Sequence, residues 1–375
     1  MSDEVNAALS TALERGEIGI QVAARAGGRE VIDAWAGVAD TATGRPVDGS
    51  TLFSGFSIGK SFVSLAVHLQ AERGLLDYGA PIAQYWPEYG KNGKDAITVA
   101  HVLSHEAGVP MMPEGTTPER QADWNWVVER LAELTPIHRP GTAGGYHNIT
   151  FGFILGEVVR RTDPQHRPFG RFVQEEILAP LGVTDAWLGI PASEESRVAT
   201  LYMPEKPPPP ANPSPHAGAI APPAVALVPD VYNQPVIRES CIPATGVISN
   251  ARALARLFAL IAGLGELDGV RLLSEERVRN FATPRGKHSR DQVLPVAPPV
   301  GTMGFWVGGQ PWTGIRPSIV MSPGAGGVLA WADLETGVSA AVLHNRMFGP
   351  PFPPDQHPFK PIGDVIANLG VAAAR

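Results

Sequence analysis

The stretch Phe53–Phe62, FSGFSIGKSF, holds two nucleophile motifs that share Ser57. Gly55 to Gly59 reads G-x-S-x-G, a strand-to-helix elbow whose serine is served by a histidine elsewhere in the chain. Ser57 to Lys60 reads S-x-x-K, in which the base is the lysine one helical turn on. The elbow needs a mostly parallel sheet in which strands and helices alternate throughout. The lysine motif does not, so the pattern around these ten residues decides the fold.

Upstream, "IGIQVAARAGG" and "REVIDAWAGVAD" are two apolar runs parted by Gly27 and Gly28, which predicts an antiparallel hairpin. From Ser57 the period becomes helical: "SFVSLAVHLQAERG" stops at Gly74. Helical or irregular segments follow in "ITVAHVLSHEAGVP", "WNWVVERLAEL", "ITFGFILGEVVRR" and "FGRFVQEEILAPLG". Strand-like runs return in "GTMGFWVGG", "PSIVMSPG", "GVLAWADLETG" and "VSAAVLHN", and "IGDVIANLGVAAA" closes the chain as a helix. Strands at both ends with helices between them predict an α+β fold. An antiparallel sheet is built from residues 1–56 and 285–375, and a mainly helical part spans 57–284. Residues 203–235 ("MPEKPPPPANPSPHAGAIAPPAVALVPD" and its flank) are proline-rich and non-periodic. They read as a surface loop or a flap over a pocket, with Pro207–Pro210 a weak polyproline ligand.

Composition narrows the function. Among 375 residues, 30 Lys and Arg stand against 37 Asp and Glu, a net charge of −7 without a long basic cluster, so nucleic acid is not an expected partner. No apolar run is long enough to span a bilayer, and "MSDEVNAALSTALERG" has neither the basic nor the apolar region of a signal peptide. The single Cys241 cannot form an internal disulfide and reads as a small buried apolar residue. The expectation is a cytoplasmic protein. The 10 histidines lack metal-ligand spacing, and neither a metal nor a cofactor is expected.

If Ser57 opens the helix, Lys60 shares its face, and burial of the amine would lower its pKa enough to take the serine proton. The helix N-terminus adds free N–H groups beside the forming oxyanion. The plain alternative is Ser57 as an N-cap with Lys60 in solvent. Two further stretches bear on this. "GGYHNIT" supplies Tyr146-His147-Asn148, a Y-x-N in the helical part; a tyrosine beside an ammonium ion ionises more easily and can carry protons. The glycine-rich "MSPGAGGVLAW" lies between two strands and offers backbone N–H groups to an oxyanion, or is simply a hairpin turn.

Taken in order, "FSGFSIGKSF", "GLLDYGAPIAQYWPEY", "ITVAHVLSHEAGVP", "PGTAGGYHN", "ATGVISNARALARL" and "SPGAGGVLAWADLETG" resemble the serine β-lactamase-like superfamily. The likeness is to its class C β-lactamase and family VIII carboxylesterase branch, similar to penicillin-binding proteins. It runs from about Ile18 to the final helix. The resemblance implies the β-lactamase/penicillin-binding-protein-like fold, Ser57 as the acylated nucleophile, Lys60 as its base and Tyr146 as the proton carrier. Asn148 would lie beside the acyl group. The third motif, commonly Lys-Thr-Gly or His-x-Gly, falls on Ser322-Pro323-Gly324, with an oxyanion N–H at Ala325. Ser322 departs from the pattern, since a hydroxyl has no charge to hold a β-lactam or peptide carboxylate. A carboxylesterase for a small neutral ester or related acyl compound is therefore expected ahead of a β-lactamase or amidase. An acyltransferase or biosynthetic enzyme using the same acyl-enzyme stays open, as does a silent ligand-binding module that has lost catalysis.

The elbow reading would need His344 in "AVLHNR" as base, with Asp268, Asp291 or Asp333 as its acid. Against it, "STLFSGF" makes a poor central parallel strand, and His344 reads rather as a sheet-end residue with a backbone partner. Of the tryptophans, Trp124, Trp126 and Trp331 are expected in the core, while Trp306, before the third motif, is the candidate for a substrate pocket.

Overall fold

The computed structural model describes residues 2–206, 214–286, 291–294, 298–349 and 352–373. The two terminal strand regions meet in one seven-stranded sheet of order β3-β2-β1-β12-β11-β10-β9. Its strands are β1 (Gly19–Ala26), β2 (Arg29–Asp40), β3 (Arg45–Pro46), β9 (Trp306–Gln310), β10 (Gly314–Pro323), β11 (Leu329–Asp333) and β12 (Val338–His344). Every neighbouring pair is antiparallel, and the two ends of the chain join where Val22 faces Val342 and Ala24 faces Ala340. Strand-helix alternation around a parallel sheet is absent from this sheet, which removes the elbow fold.

Period-two alternation sends successive side chains to opposite faces. On one face Ile20, Val22, Met321, Trp331 and Val342 form a core with the terminal helices α1 (Ser2–Glu14) and α6 (Lys360–Ala373). On the other, Ala23, Val320, Ala330, Ala341 and Leu343 join a larger core. A helix from the middle of the chain, α5 (Ala251–Ala262), packs on this inner face against β1, β11 and β12. The side chain of Asn250 caps α5 by accepting from the Ala253 N–H at 2.8 Å.

The remaining longer helices are α2 (Gly59–Glu72), α3 (Trp124–Glu133) and α4 (Thr150–Thr162). Helix α2 is buried from Gly59 to Gln70, which is why its sequence is apolar nearly all round. Its first residue needs no side chain: a Cβ on Gly59 would stand 2.3 Å from the Pro243 carbonyl oxygen. Beside α2 lies a small sheet of β4 (Phe53–Phe56), β6 (Val247–Ser249) and β5 (Ala186–Leu188), and β7 (Glu266–Leu267) pairs with β8 (Val270–Arg271). Among the described residues no helix is long and apolar enough to cross a membrane.

One expectation is corrected. The sequence predicts no periodic element in the proline-rich region, yet it holds short helical turns at Ala217–Ile220, Pro223–Val225 and Pro229–Tyr232, and another, Pro235–Arg238, starts at its end. Proline opens three of them, where its fixed φ suits the first helical turn and its missing N–H costs nothing. Pro207–Pro210 lie outside the described residues.

Candidate active site

Strand β4 ends at Phe56, whose φ of 46° is a left-handed value rare for a bulky residue. That turn lifts Ser57 out of the strand two residues before α2 begins. Ser57 is therefore not an N-cap: the cap position is Ile58, and no side chain caps the helix. The serine hydroxyl is left to the lysine. Lys60 Nζ donates to Ser57 Oγ at 3.0 Å, to the Asn148 carbonyl oxygen at 2.6 Å and to the Ala244 carbonyl oxygen at 3.3 Å. Three neutral acceptors surround the amine, and Lys60 is 3% exposed. Burial lowers its pKa well below the ordinary lysine value, so solvated Lys60 is excluded. An amine so placed is suited to take the proton of Ser57 Oγ.

Tyr146 lies with its ring under this amine, Lys60 Nζ standing 4.9 Å from the ring centroid. The sequence reading, that a neighbouring ammonium eases ionisation of Tyr146, is overturned. Burial pushes the phenol up to about 12, while the Ser57 and Trp306 side chains beside it pull the other way. Burial is the largest cause, and the lowered pKa of Lys60 works against the ammonium that the sequence reading assumes beside the ring. A phenol raised in this way favours its protonated form. Trp306 meets its ring edge-on, with centroids 6.0 Å apart. The Trp306 indole N–H is buried and makes no well-aligned hydrogen bond among the described residues.

Asn148 contacts the site through its backbone carbonyl, on Lys60, and its half-buried side chain makes no hydrogen bond among the described residues. Ser322 also plays an unexpected part. Its hydroxyl donates to the Ser57 carbonyl oxygen at 3.0 Å, tying β10 to the Ser57 turn. Gly324 follows at the closest approach of the two segments: a Cβ there would lie 2.4 Å from the Gly55 carbonyl oxygen. Ala325 then opens a 3₁₀ turn, whose first N–H has no partner within the turn. Neither the Ser57 amide nor the Ala325 amide donates to a backbone carbonyl among the described residues. Two free donors beside one hydroxyl suit an oxyanion.

The sequence reading missed the support beneath Tyr146. Gly145 N donates to the His105 carbonyl oxygen at 2.9 Å, and His147 N donates to His105 Nδ1 at 3.0 Å. The His105 ring lies 4.4 Å from that of Tyr146. Burial lowers the pKa of both imidazoles, that of His147 to about 3, so both are neutral near pH 7. The positive φ of His105, 58°, could not have been read from its letter.

The components of the elbow reading are scattered. His344 bonds through Nδ1 to Glu17 Oε2 at 3.0 Å, both groups buried, so its partner is neither a backbone group nor any of the three aspartates. Asp268 pairs with Arg256 at 2.7 Å, and Asp333 pairs with Arg316 at 3.2 Å. Asp291 lies on the backbone of Tyr146. Trp331 lies in the outer core as expected, while Trp124 and Trp126 pack at the margin of the inner one. The Trp124 indole N–H bonds to Glu157 Oε2 at 2.8 Å.

The Beta-lactamase family model matches residues 5–360. The esterase/beta-lactamase LipL of Mycobacterium tuberculosis is 32% identical over 363 residues, covering 93% of this chain and 82% of that protein. A crystal structure of a family VIII carboxylesterase superposes with a TM-score of 0.86 at 28% identity, over 99% of this chain and 97% of the other. A penicillin-binding protein homologue from Caulobacter crescentus gives 0.84 at 31% identity, over 99% and 98%.

Proposed function

The chain belongs to the Beta-lactamase family, and from that premise we propose that it is a serine carboxylesterase that forms an acyl-enzyme on Ser57 with a small neutral ester. The observation that carries the reading is the buried Lys60 amine, 3.0 Å from Ser57 Oγ and flanked by carbonyls rather than carboxylates. The likeness to LipL and to a family VIII carboxylesterase supports an ester as substrate.

Lys60 takes the proton of Ser57 as Oγ attacks the acyl carbon, and the carbonyl π pair moves onto oxygen, facing the amides of Ser57 and Ala325. Collapse of this intermediate breaks the bond to the alkoxide. The alkoxide takes the Tyr146 proton, and the Lys60 ammonium returns one to Tyr146. Water then repeats the attack on the acyl-enzyme: its proton passes to the basic group, the acid leaves, and Ser57 recovers its hydrogen. A phenol that stays protonated near neutral pH suits the donor role.

A neutral substrate follows from the third motif. Ser322 turns its hydrogen toward the Ser57 carbonyl and presents no charge to a carboxylate. The test is the intact mass of wild type and Ser57→Ala after brief mixing with a p-nitrophenyl butyrate-type ester, with nitrophenol release followed alongside. Acyl mass and release in wild type alone are expected; release retained by Ser57→Ala would refute the reading.

A further inference from the structure

A short segment, residues 291–294, crosses the loop that carries Tyr146. Gln292 N donates to the Gly144 carbonyl oxygen at 2.9 Å, and Gly144 and Asp291 form a parallel bridge. Asp291, 2% exposed, accepts three backbone N–H groups on one oxygen: Tyr146 at 3.1 Å, Val293 at 2.9 Å and Leu294 at 2.9 Å. Two of these are the local turn that any Asp or Asn makes with its own chain. The third reaches across 145 residues to the proposed proton carrier.

The other carboxylate oxygen is the anomaly. Asp291 Oδ2 is buried and accepts no hydrogen bond among the described residues. Arg285 Nη2 stands 3.9 Å away, too far to donate, while its Nη1 donates to the Ser104 carbonyl oxygen at 2.8 Å. Burying a charge with half its acceptors unused costs stability, and an asparagine could make the same three bonds without that charge. A carboxylate at this position therefore calls for a role that depends on charge: it stands 3.9 Å from the buried Arg285 guanidinium and holds the Tyr146 backbone N–H at 3.1 Å.

We propose that Asp291 is a positioning residue for the tyrosine: it clamps the Tyr146 backbone under Lys60, and its negative charge holds the Tyr146 hydroxyl in its protonated, donating form. The proposal rests on Tyr146 being the proton carrier. The groups around that phenol are Lys60 and Ser57 from the α2 turn, the rings of His105 and Trp306, His147 next in the chain, and Asp291 with Arg285 behind it. Burial lowers the pKa of Lys60, His105 and His147, while Asp291 and Arg285 stand as a buried pair beside them, with Glu106 acting on Arg285. Asp291 is the member of the pair bonded to Tyr146, through its backbone N–H at 3.1 Å, and its charge adds to burial in opposing phenolate formation.

The experiment is the pH dependence of kcat/KM for a neutral ester in wild type, Asp291→Asn and Asp291→Ala, with Tm measured on each. Asp291→Asn keeps the three acceptor bonds and loses the charge. Its rate near neutral pH should stay within about threefold of wild type, while its alkaline limb moves down by on the order of one pH unit. Asp291→Ala loses the clamp, and kcat should fall by about tenfold or more with KM little changed. A purely structural Asp291 would move Tm but not the limb. Should the asparagine not fold, Asp291→Ser is a second neutral cap. An asparagine or serine profile that superimposes on wild type overturns the proposal, as does wild-type kcat in Asp291→Ala. Failure of both neutral caps to fold overturns it too, since the carboxylate would then serve the fold. Loss of turnover in Ser57→Ala together with an unmoved limb would reject the role of Asp291 alone and leave the acyl-enzyme reading standing.

Discussion

A lysine buried without a carboxylate leaves a signature in stability as well as in rate. Consider Lys60→Met, which keeps the length of the side chain and removes the amine. In the unfolded chain Lys60 titrates near the ordinary 10.5, whereas in the folded protein burial lowers its pKa well below that. Between the two values the unfolded state binds one proton that the folded state does not. Wild-type stability must then rise with pH in that window, reach its full value above the unfolded pKa, and fall as pH drops toward the folded one. The slope is about 1.36 kcal/mol per pH unit, so two units inside the window change the wild-type-minus-mutant difference by about 2.7 kcal/mol. The mutation also strands the carbonyls of Asn148 and Ala244, an offset of about 1–3 kcal/mol each that does not depend on pH. The assay is urea unfolding of both proteins at several pH values from neutral to mildly alkaline. The difference should slope upward, flattening at its low-pH end where Lys60 begins to charge in the folded state. The acid limb of kcat/KM should lie at that same pH, with the mutant lower by about a thousandfold or more. Parallel stability curves would mean that Lys60 is charged in the folded protein, and its assignment as the base would be refuted.

Two further perturbations probe the framing of the site. His344→Ala removes one member of the buried pair with Glu17 and should cost about 3 kcal/mol of stability, seen as a lower Tm, while acyl-enzyme formation per folded molecule is unchanged; loss of acylation as complete as in Ser57→Ala would revive a histidine base. Gly324→Ala drives a Cβ to within 2.4 Å of the Gly55 carbonyl oxygen, so β10 and the Ser57 turn must part and Ala325 moves off the oxyanion position. Its kcat should fall by about tenfold or more for a stability loss of about 1–3 kcal/mol, and wild-type kcat in a folded variant would refute that placement of Ala325.

Much of this was legible in the letters. The switch from period-two to helical spacing at Ser57, the Gly27-Gly28 turn and the late strand runs are local signals, and they establish an antiparallel sheet contributed by both chain ends. The three-residue step from Ser57 to Lys60 is also local, because the turn that leads into α2, closed by Lys60 N donating to the Ser57 carbonyl oxygen at 3.0 Å, brings the two together. What the letters could not convey is protonation and direction. Burial among segments 88 and 184 residues away lowers the Lys60 pKa, and burial likewise raises that of Tyr146. The Ser322 hydroxyl points to a carbonyl 265 residues distant, and the Asp291 carboxylate lies on a tyrosine amide 145 residues away. Spacing along a chain fixes which side chains share a turn of helix. Desolvation depends on everything packed around a group, so the chemical state of each residue in this site was decided only when distant segments closed over it.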